Sequence, residues 1–413
     1  MKALVLDAGN SSSYHAMRSL ARRGDGVHLV ASHFCHWRFS KFCARAIDEP
    51  APAPGEDEQQ ATVEFLLSLL QQERYGLLLS CGDALTEAIY GNFDAFSALV
   101  DCAAPGPRVA DIVLSKPRAT EFARQLGVPV PATFELGEFG GNPFDLPPLP
   151  YPIVVKGQRG SGSSNVRFAD GPEGLAKGFQ EVRDLESDLA GGPAIQEYVG
   201  GPGYLVHLLF WQGEPYAAVC HRKDREYPVG GGVTAAATTV HEPDLLASAL
   251  KIAQALEWHG LVKMDFLHNP VSGEFKFVEI DPRVSASVDI ARAAGVDQVA
   301  MLADLVEGRA VKPDLTFRAG VRYRWLFPRD LLAGIANPSA YLRLLPDILS
   351  PRVSFDLGPS DWWPFFYQVG RFVQERKYLD SAIREEGRAA RAIRAVYEAR
   401  LAAARERALN GSV

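Results

Sequence analysis

What this chain lacks narrows it first. No stretch of the 413 residues approaches the ~20 consecutive apolar positions of a membrane-spanning helix. The opening MKALVLDAGN holds an apolar run broken by Asp7, too short for a secretory signal and without a cleavage site. Cysteine is scarce: Cys35, Cys43, Cys81, Cys102 and Cys220 are scattered and odd in number, with no CxxC pair and no Cys/His cluster of zinc spacing. That usage suits reduced, buried thiols in a cytoplasmic protein. Neither sign of charge dominates. A formal net charge of −7 argues against broad nucleic-acid binding and leaves room for a local basic site. No GxGxxG follows the first apolar strand, GxxxxGK followed by Ser or Thr is absent, and there is no fixed-period repeat. His207, His221, His241 and His259 have no metal spacing and read as structural.

What is present is globular. With 47% hydrophobic and 23% charged residues, the chain can bury several cores, and its length suggests roughly two to four domains of ~100–200 residues. Residues 2–7, 27–32 and 76–81 read as buried strands. Helical patterns through Tyr14, Met17 and Leu20 and over about 61–73 alternate with them, as in a parallel α/β domain. One helix is expected around 109–126, ending at Gly127, followed by the extended VPVPATF. GGNPFDLPPLPYP (140–152) reads as a linker. Beyond it lies a small α/β unit to about Val199, then mostly strands with helices at 243–257 and 288–307. Residues 380–409 carry apolar positions at helical spacing, and the aromatic run DWWPFFY (361–367) reads as core.

The most informative segment is LVKMDFLHNPVSGEFKFVEIDPR (261–283). Two strand-like pieces joined by a turn end in carboxylates. Lys263 and Asp265 share one face of the first, and Glu279 and Asp281 share one face of the second. Paired as a hairpin, they bring three carboxylates and a cation together, a costly arrangement without further positive charge. Oxygen ligands with no His or Cys suit a hard ion such as Mg2+, which bridges protein to phosphate. A second signal is PIVVKGQRGSGSSNV (152–166), where an apolar strand delivers Lys156 to the loop Gly160-Ser161-Gly162-Ser163-Ser164. Glycines admit backbone N–H groups to phosphate oxygens, and serines add donors. A third is AIQEYVGGPG (194–203), a strand end at Gln196-Glu197-Tyr198-Val199 whose backbone groups suit a purine edge.

In this order, and preceded by SKPRATEFARQLGVPVPATF (115–134), the three segments resemble the ATP-grasp superfamily. The resemblance is nearest to carboxylate–amine ligases and carbamoyl-phosphate-synthase-like carboligases, and it covers about residues 2–310. It implies an α/β (α+β) fold in five parts: an N-terminal parallel α/β domain (1–110), a connecting helix and linker (111–150), a lid (151–200), a central mixed-sheet domain with the metal site (201–310) and a helical C-terminal extension (311–413). It also implies that Lys116 and Lys156 bind ATP phosphates under a lid formed by Gly160, Ser161, Gly162, Ser163 and Ser164. Backbone groups of Glu197 and Val199, within the Gln196–Val199 strand end that includes Tyr198, would read adenine. Asp265 and Glu279 would hold Mg2+, or Mn2+ in its place, with Asp281 as third metal residue where the family usually has Asn. Arg283 would face the transferred phosphate. Of the basic run HRKDREYP, Arg225 best matches an acceptor-site residue, with Arg222 and Lys223 behind it. Gly203 stands where the family often has a ribose-binding Glu. The implied activity is an ATP-dependent ligase joining a small-molecule carboxylate to an amine through an acyl-phosphate. No nucleic-acid or membrane partner is expected, and a homodimer is compatible. A carboxylase or carbamoyl-phosphate-type phosphotransfer enzyme, or a non-catalytic ATP-binding regulator, remains open at this point.

Overall fold

The structure is a computed structural model that describes residues 1–6, 11–31, 35–52, 57–135, 143–145, 149–157, 165–185, 192–227, 232–336, 347, 350, 352–356, 361–366 and 369. The Gly160–Ser164 loop and the helical pattern at 380–409 lie outside these residues, as do residues 140–142 and 146–148 of the 140–152 linker.

The chain begins with β1 (Lys2–Val5), α1 (Ser11–Arg23), β2 (Gly26–Ala31), β3 (Arg45–Asp48), α2 (Glu58–Gln72), β4 (Leu77–Leu79), α3 (Asp83–Gly91) and α4 (Phe93–Ser97). All strand pairs here are parallel, in the order β3-β2-β1-β4. Strands buried on both faces need continuous apolar sequence, and Ala3, Leu4, Val5 and Leu77, Leu78, Leu79 supply it. The single helix expected over 109–126 is two: α5 (Ala110–Val113) and α6 (Lys116–Gln125). Ser115 caps α6 by accepting from the Arg118 amide, and Pro117, lacking an N–H, suits a first turn.

A second sheet follows, built from β5 (Thr133–Glu135), β6 (Ile153–Lys156), β7 (Val166–Ala169) and β8 (Ala194–Glu197), antiparallel in the order β5-β8-β6-β7. α7 (Pro172–Leu185) covers it with Leu175, Phe179 and Val182, spaced for one helical face. β5 is the extended segment after Gly127, so this sheet recruits a strand from before the linker.

The largest sheet contains β9 (Gly203–Trp211), β10 (Glu214–Tyr227), β11 (Val233–Thr239), β12 (Gly260–His268) and β13 (Phe275–Asp281), with α8 (Pro243–Ala255) between β11 and β12. α9 (Asp289–Ala293) and α10 (Gln298–Val306) replace the one helix expected over 288–307: Gly295, at φ +99°, turns the chain, and Asp297 caps α10 by accepting from the Ala300 amide. β14 (Arg322–Arg324), α11 (Leu331–Ala336) and β15 (Val353–Phe355) come from the region expected as a C-terminal extension. Both strands join the central sheet, whose order is β13-β12-β9-β10-β11-β14-β15. Only β14–β15 is parallel, so the sheet is mixed. The DWWPFFY run differs from its expected core role: Trp363 is 75% exposed, and the segment is anchored instead by Asp361, which accepts from Ser40 Oγ at 2.6 Å.

Alternation along β9 and β12 divides this sheet into two faces. Val206, Leu208, Phe210, Val262, Met264 and Phe266 pack under α8 with Phe277 and Ile280. Leu209 and Leu261 face the other way, into a core shared with α10 and with Ala3, Val5, Met17 and Leu20 of the first domain. Phe277 and Ile280 reach the same core although three residues apart, which strict alternation forbids. A β-bulge resolves this: Asp265 pairs with Glu279 while Phe266 pairs with Phe277, so Val278 is the extra residue. The bulge keeps Phe277 in the core and presents Glu279 on the opposite face. Phe277 is fully buried with its ring edge-on to Phe266, centroids 5.6 Å apart. Phe277→Ala is therefore expected to cost about 3–5 kcal/mol of stability, read as a lowered urea midpoint against wild type.

Candidate active site

The hairpin β12–β13 places four side chains on one face through the register pairs Lys263↔Asp281 and Asp265↔Glu279. Lys263 Nζ lies 2.8 Å from Asp265 Oδ2 and 2.7 Å from Asp281 Oδ2. Burial disfavours its charge, but Asp265, Asp281 and Glu279 outweigh that and hold its pKa above the ordinary lysine value. The Asp265 and Glu279 carboxyls face each other in register, and each shifts the pKa of the other. Burial pushes Asp265 up to about 6, against the pull of Lys263. Burial also works against the Glu279 charge, yet Lys263 and Lys116 keep its pKa below the usual carboxylate range.

Two more lysines converge on Glu279. Lys116, at the start of α6, has its Nζ 3.5 Å from Glu279 Oε2. Lys156, the last residue of β6, has its pKa lowered to about 8 by burial, against the raising effect of Glu279. Arg283 follows the hairpin: Nε is 2.5 Å from Asp83 Oδ1, at the N-terminus of α3, and Nη2 is 3.7 Å from Asp281 Oδ2. Burial opposes its charge, but Asp281 and Asp83 more than compensate. Val284 donates its amide to Ser80 O at 3.1 Å, so the end of the hairpin is pinned to the end of β4.

The strand end at Gln196–Val199 sits at the other side. The Glu197 amide donates to Ala132 O at 2.8 Å, and the Glu197 carboxylate takes two contacts from Lys276 Nζ at 2.8 and 2.7 Å. Gln196 Nε2 donates to Thr133 Oγ1 at 2.8 Å, Tyr198 stands edge-on to Phe168 at 5.7 Å, and Val199 is buried. Of the basic run, Arg225 pairs with the buried Asp330 at 2.8 Å, Arg222 with Asp224 at 3.0 Å and Lys223 with Glu226 at 4.0 Å, and the Lys223 charge also lowers the Asp265 pKa. The bare Gly203 gives room to Lys223: a Cβ at Gly203 would meet Lys223 Cδ at 2.9 Å.

Sequence reading missed Lys276, Asp83 and Asp330, the counter-charges of Glu197, Arg283 and Arg225. Each is distant in sequence from its partner, and only the tertiary pairing reveals it. Asp281, expected as the third metal residue, has its Oδ2 2.7 Å from Lys263 Nζ and 3.7 Å from Arg283 Nη2.

The donor set suits a metal that arrives with phosphate. Among the described residues no group of three or more His, Cys, Asp or Glu side chains is arranged to hold an ion unaided. Yet among the described residues Asp265 Oδ1, buried opposite Glu279, has no hydrogen-bond partner. One or two carboxylates completed by phosphate oxygens and water is the usual protein share of a Mg2+ site.

A parallel α/β domain, a small antiparallel sheet and a large mixed sheet, with lysines and carboxylates gathered between the two sheets, define an ATP-grasp architecture. The family model described as "ATP-grasp in the biosynthetic pathway with Ter operon" matches residues 194–327. The chain is 26% identical over 305 residues to the N-terminal section of the carbamoyl phosphate synthase large chain of Methanopyrus kandleri, covering 71% of this chain and 52% of that protein. It thus spans about half the length of the curated relative it matches. Among solved structures it resembles N5-carboxyaminoimidazole synthetase from Staphylococcus aureus complexed with ADP, with a TM-score of 0.63 at 13% identity over 84% of this chain and 86% of that one. The L-amino acid ligase from Bacillus licheniformis gives a TM-score of 0.56 at 14% identity over 74% of each chain. Pyruvate carboxylase from Rhizobium etli gives 0.63 at 17% identity over 78% of this chain and 30% of that one. The matched family model, the curated relative and the similar structures are all ATP-grasp proteins, which this chain resembles in sequence over residues 194–327 and in fold more widely.

Lys263 is the compensating charge of this site, and its loss would strand buried carboxylates. Lys263→Met, assayed with EDTA, is expected to cost about 3–5 kcal/mol at pH 8. The loss narrows as pH falls from 8 toward 6: Lys263 lowers the Asp265 pKa, so without it the carboxyl takes its proton at higher pH than in wild type, and protonation of a carboxyl whose folded pKa lies above its unfolded value favours folding. Urea melts of both proteins between pH 5 and 8 check the sign.

Proposed function

We propose that the protein is an ATP-dependent ligase that activates a small-molecule carboxylate as an acyl-phosphate and passes it to an amine, releasing ADP and phosphate. The observation that carries this reading is the convergence of Lys116, Lys156, Asp265, Glu279 and Arg283 around the bulged hairpin.

Lys116 and Lys156 would bind ATP phosphates, with the Gly160–Ser164 loop closing over them. The Glu197 amide is already engaged with Ala132, so its carbonyl and the Val199 backbone would face the adenine. Mg2+ held by Asp265 and Glu279 would neutralise charge on the phosphate oxygens. Arg283, fixed by Asp83 and Asp281, would offer a pre-oriented cation where negative charge builds up during transfer, and an interaction fixed beforehand needs no reorganisation at the moment of reaction. Lys223, whose charge lowers the Asp265 pKa, is the acceptor-side cation preferred here over Arg225, which is committed to Asp330. Positioning and charge neutralisation are what phosphoryl transfer chiefly requires.

A second reading is supported by the similar proteins, among them a carbamoyl phosphate synthase section and carboxylases: the phosphate would go to bicarbonate. An ADP-release screen over carboxylate–amine pairs, with hydroxylamine as trap, separates the two. A hydroxamate of an organic acid supports the ligase, and ADP release that depends on bicarbonate alone supports the carboxylase. Glu279→Gln is expected to lower turnover by at least about a hundredfold, a loss of about 3 kcal/mol in transition-state stabilisation, with the circular dichroism spectrum unchanged. Wild-type turnover in that variant would sink both readings.

A further inference from the structure

Between β13 and α9, residues 282–288 form neither helix nor strand, yet the segment is held from three sides. The Val284 amide donates to Ser80 O of the first domain. Trp325, which follows β14, donates its Nε1–H to Ala286 O at 3.0 Å. His207 on β9 has Nε2 3.0 Å from Ser287 Oγ. Within the segment, Ser285 Oγ accepts the Ser287 amide at 3.2 Å and lies 3.1 Å from Ser287 Oγ. Trp325, His207, Ser285 and Ser287 are all buried. Polar groups taken out of water are costly unless paired, so these contacts specify one path for the backbone rather than decorate it.

The two side chains that reach the segment from outside are themselves fixed. Gln298, the first residue of α10, donates its Nε2 to His207 O at 3.1 Å. The His221 ring stacks on the His207 imidazole, with centroids 5.2 Å apart and planes at 14°. His207 stands across from Lys263 in the β9–β12 register. Burial lowers the His207 pKa to about 3, so the ring stays a neutral hydrogen-bonding group and does not compete with Lys263 for Asp281. The Trp325 amide donates to Ala235 O at 2.9 Å, and its ring packs with Tyr323 and with Ile290 of α9.

Arg283 lies at the start of this segment. Asp83 and Asp281 orient its guanidinium, but Asp83 is half exposed and the Asp281 contact is 3.7 Å long. Ion pairs of that kind add little rigidity to the backbone that carries them. We propose that His207 and Trp325 are positioning residues for Arg283: through Ser287 and Ala286 they fix the backbone that aims the guanidinium at the phosphate end of the hairpin. Both act through that backbone and not by contact with nucleotide. The inference rests on the ligase reading in taking Arg283 as the cation that faces the transferred phosphate. It gives the strands beyond residue 310 a part in aiming the site, because Trp325 comes from them.

The test is calorimetric titration of the full-length protein, in Mg2+, with ADP and separately with the imidodiphosphate analogue of ATP. The ratio of the two affinities isolates the terminal phosphate. Arg283→Gln is expected to weaken binding of the triphosphate analogue about tenfold or more, as loss of a charge-assisted contact predicts, with ADP binding unchanged. Ser287→Ala removes the His207 contact and Trp325→Phe removes the Ala286 contact. Each should weaken the analogue about three- to tenfold, again with ADP binding unchanged, and neither should weaken it further in the Arg283→Gln background, because residues that act through one another are not additive. A purely structural role would lower both affinities together, or lower only the urea midpoint. Wild-type affinity ratios in both variants, or the same loss repeated on top of Arg283→Gln, overturn the proposal. Ser287→Ala decides alone if Trp325→Phe misfolds by circular dichroism. Nucleotide binding in which Arg283→Gln leaves the ratio unchanged strikes this inference, whereas wild type that binds neither nucleotide strikes the ligase reading.

Discussion

Lys263 is the residue on which the site depends. Two paired strands present Asp265, Glu279 and Asp281 on one face, with directly opposed positions only about 4.5–5.5 Å apart at Cβ. Like charges at such spacing repel by several kcal/mol even at a moderate effective dielectric. The Lys263 ammonium lies between Asp265 and Asp281 and offsets most of this, but it touches only one oxygen of each. Among the described residues Asp265 Oδ1 is left without a hydrogen-bond partner. The fold thus tolerates the concentrated charge and still keeps an oxygen for a further cation, as a site that receives a metal with its nucleotide requires.

Lys263 is held in place by the bulge at Val278. Without the extra residue, Phe277 and Glu279 would project from the same face, and either the aromatic would leave the core or the carboxylate would enter it. Burying an uncompensated carboxylate costs far more than a local kink in a strand. The opposite face, packed under α8, therefore fixes the aim of the charged face. The first domain fixes its distance, because Leu209 and Leu261 share a core with β1 and α1 while Val284 and Arg283 are tied to Ser80 and Asp83.

Much of this was legible in the sequence because the signals were local. Strand ends carrying Lys156, Asp265 and Glu279 announce themselves by alternation, and their order along the chain indicated the superfamily. Other features depend on register and long-range pairing. The α5–α6 break follows from Ser115 and Pro117, but the continuous apolar pattern masks it. The bulge leaves a trace only in the three-residue spacing of Phe277 and Ile280. The partners of Arg283, Glu197 and Arg225 are distant in sequence, and no local pattern links Asp83, Lys276 or Asp330 to them. Arg329 was illegible for the same reason: its partner Ser11 lies more than 300 residues earlier.

The strands after residue 310 are part of the site's framework. β14 pairs with β11 and β15 with β14, and this carries Asp330 and Asp356 into the protein. Asp330 is fully buried and meets both Arg225 and Arg324, while Arg18 on α1 donates to the Asp356 carbonyl at 2.8 Å. Buried ionic groups repay their desolvation only when every partner is well placed, so such a network favours one docking geometry over its neighbours. Here that geometry locks the C-terminal strands to β10 on one side and to α1 on the other. Arg329, one residue before Asp330, is therefore set over the α1 N-terminus by contacts that are themselves fixed.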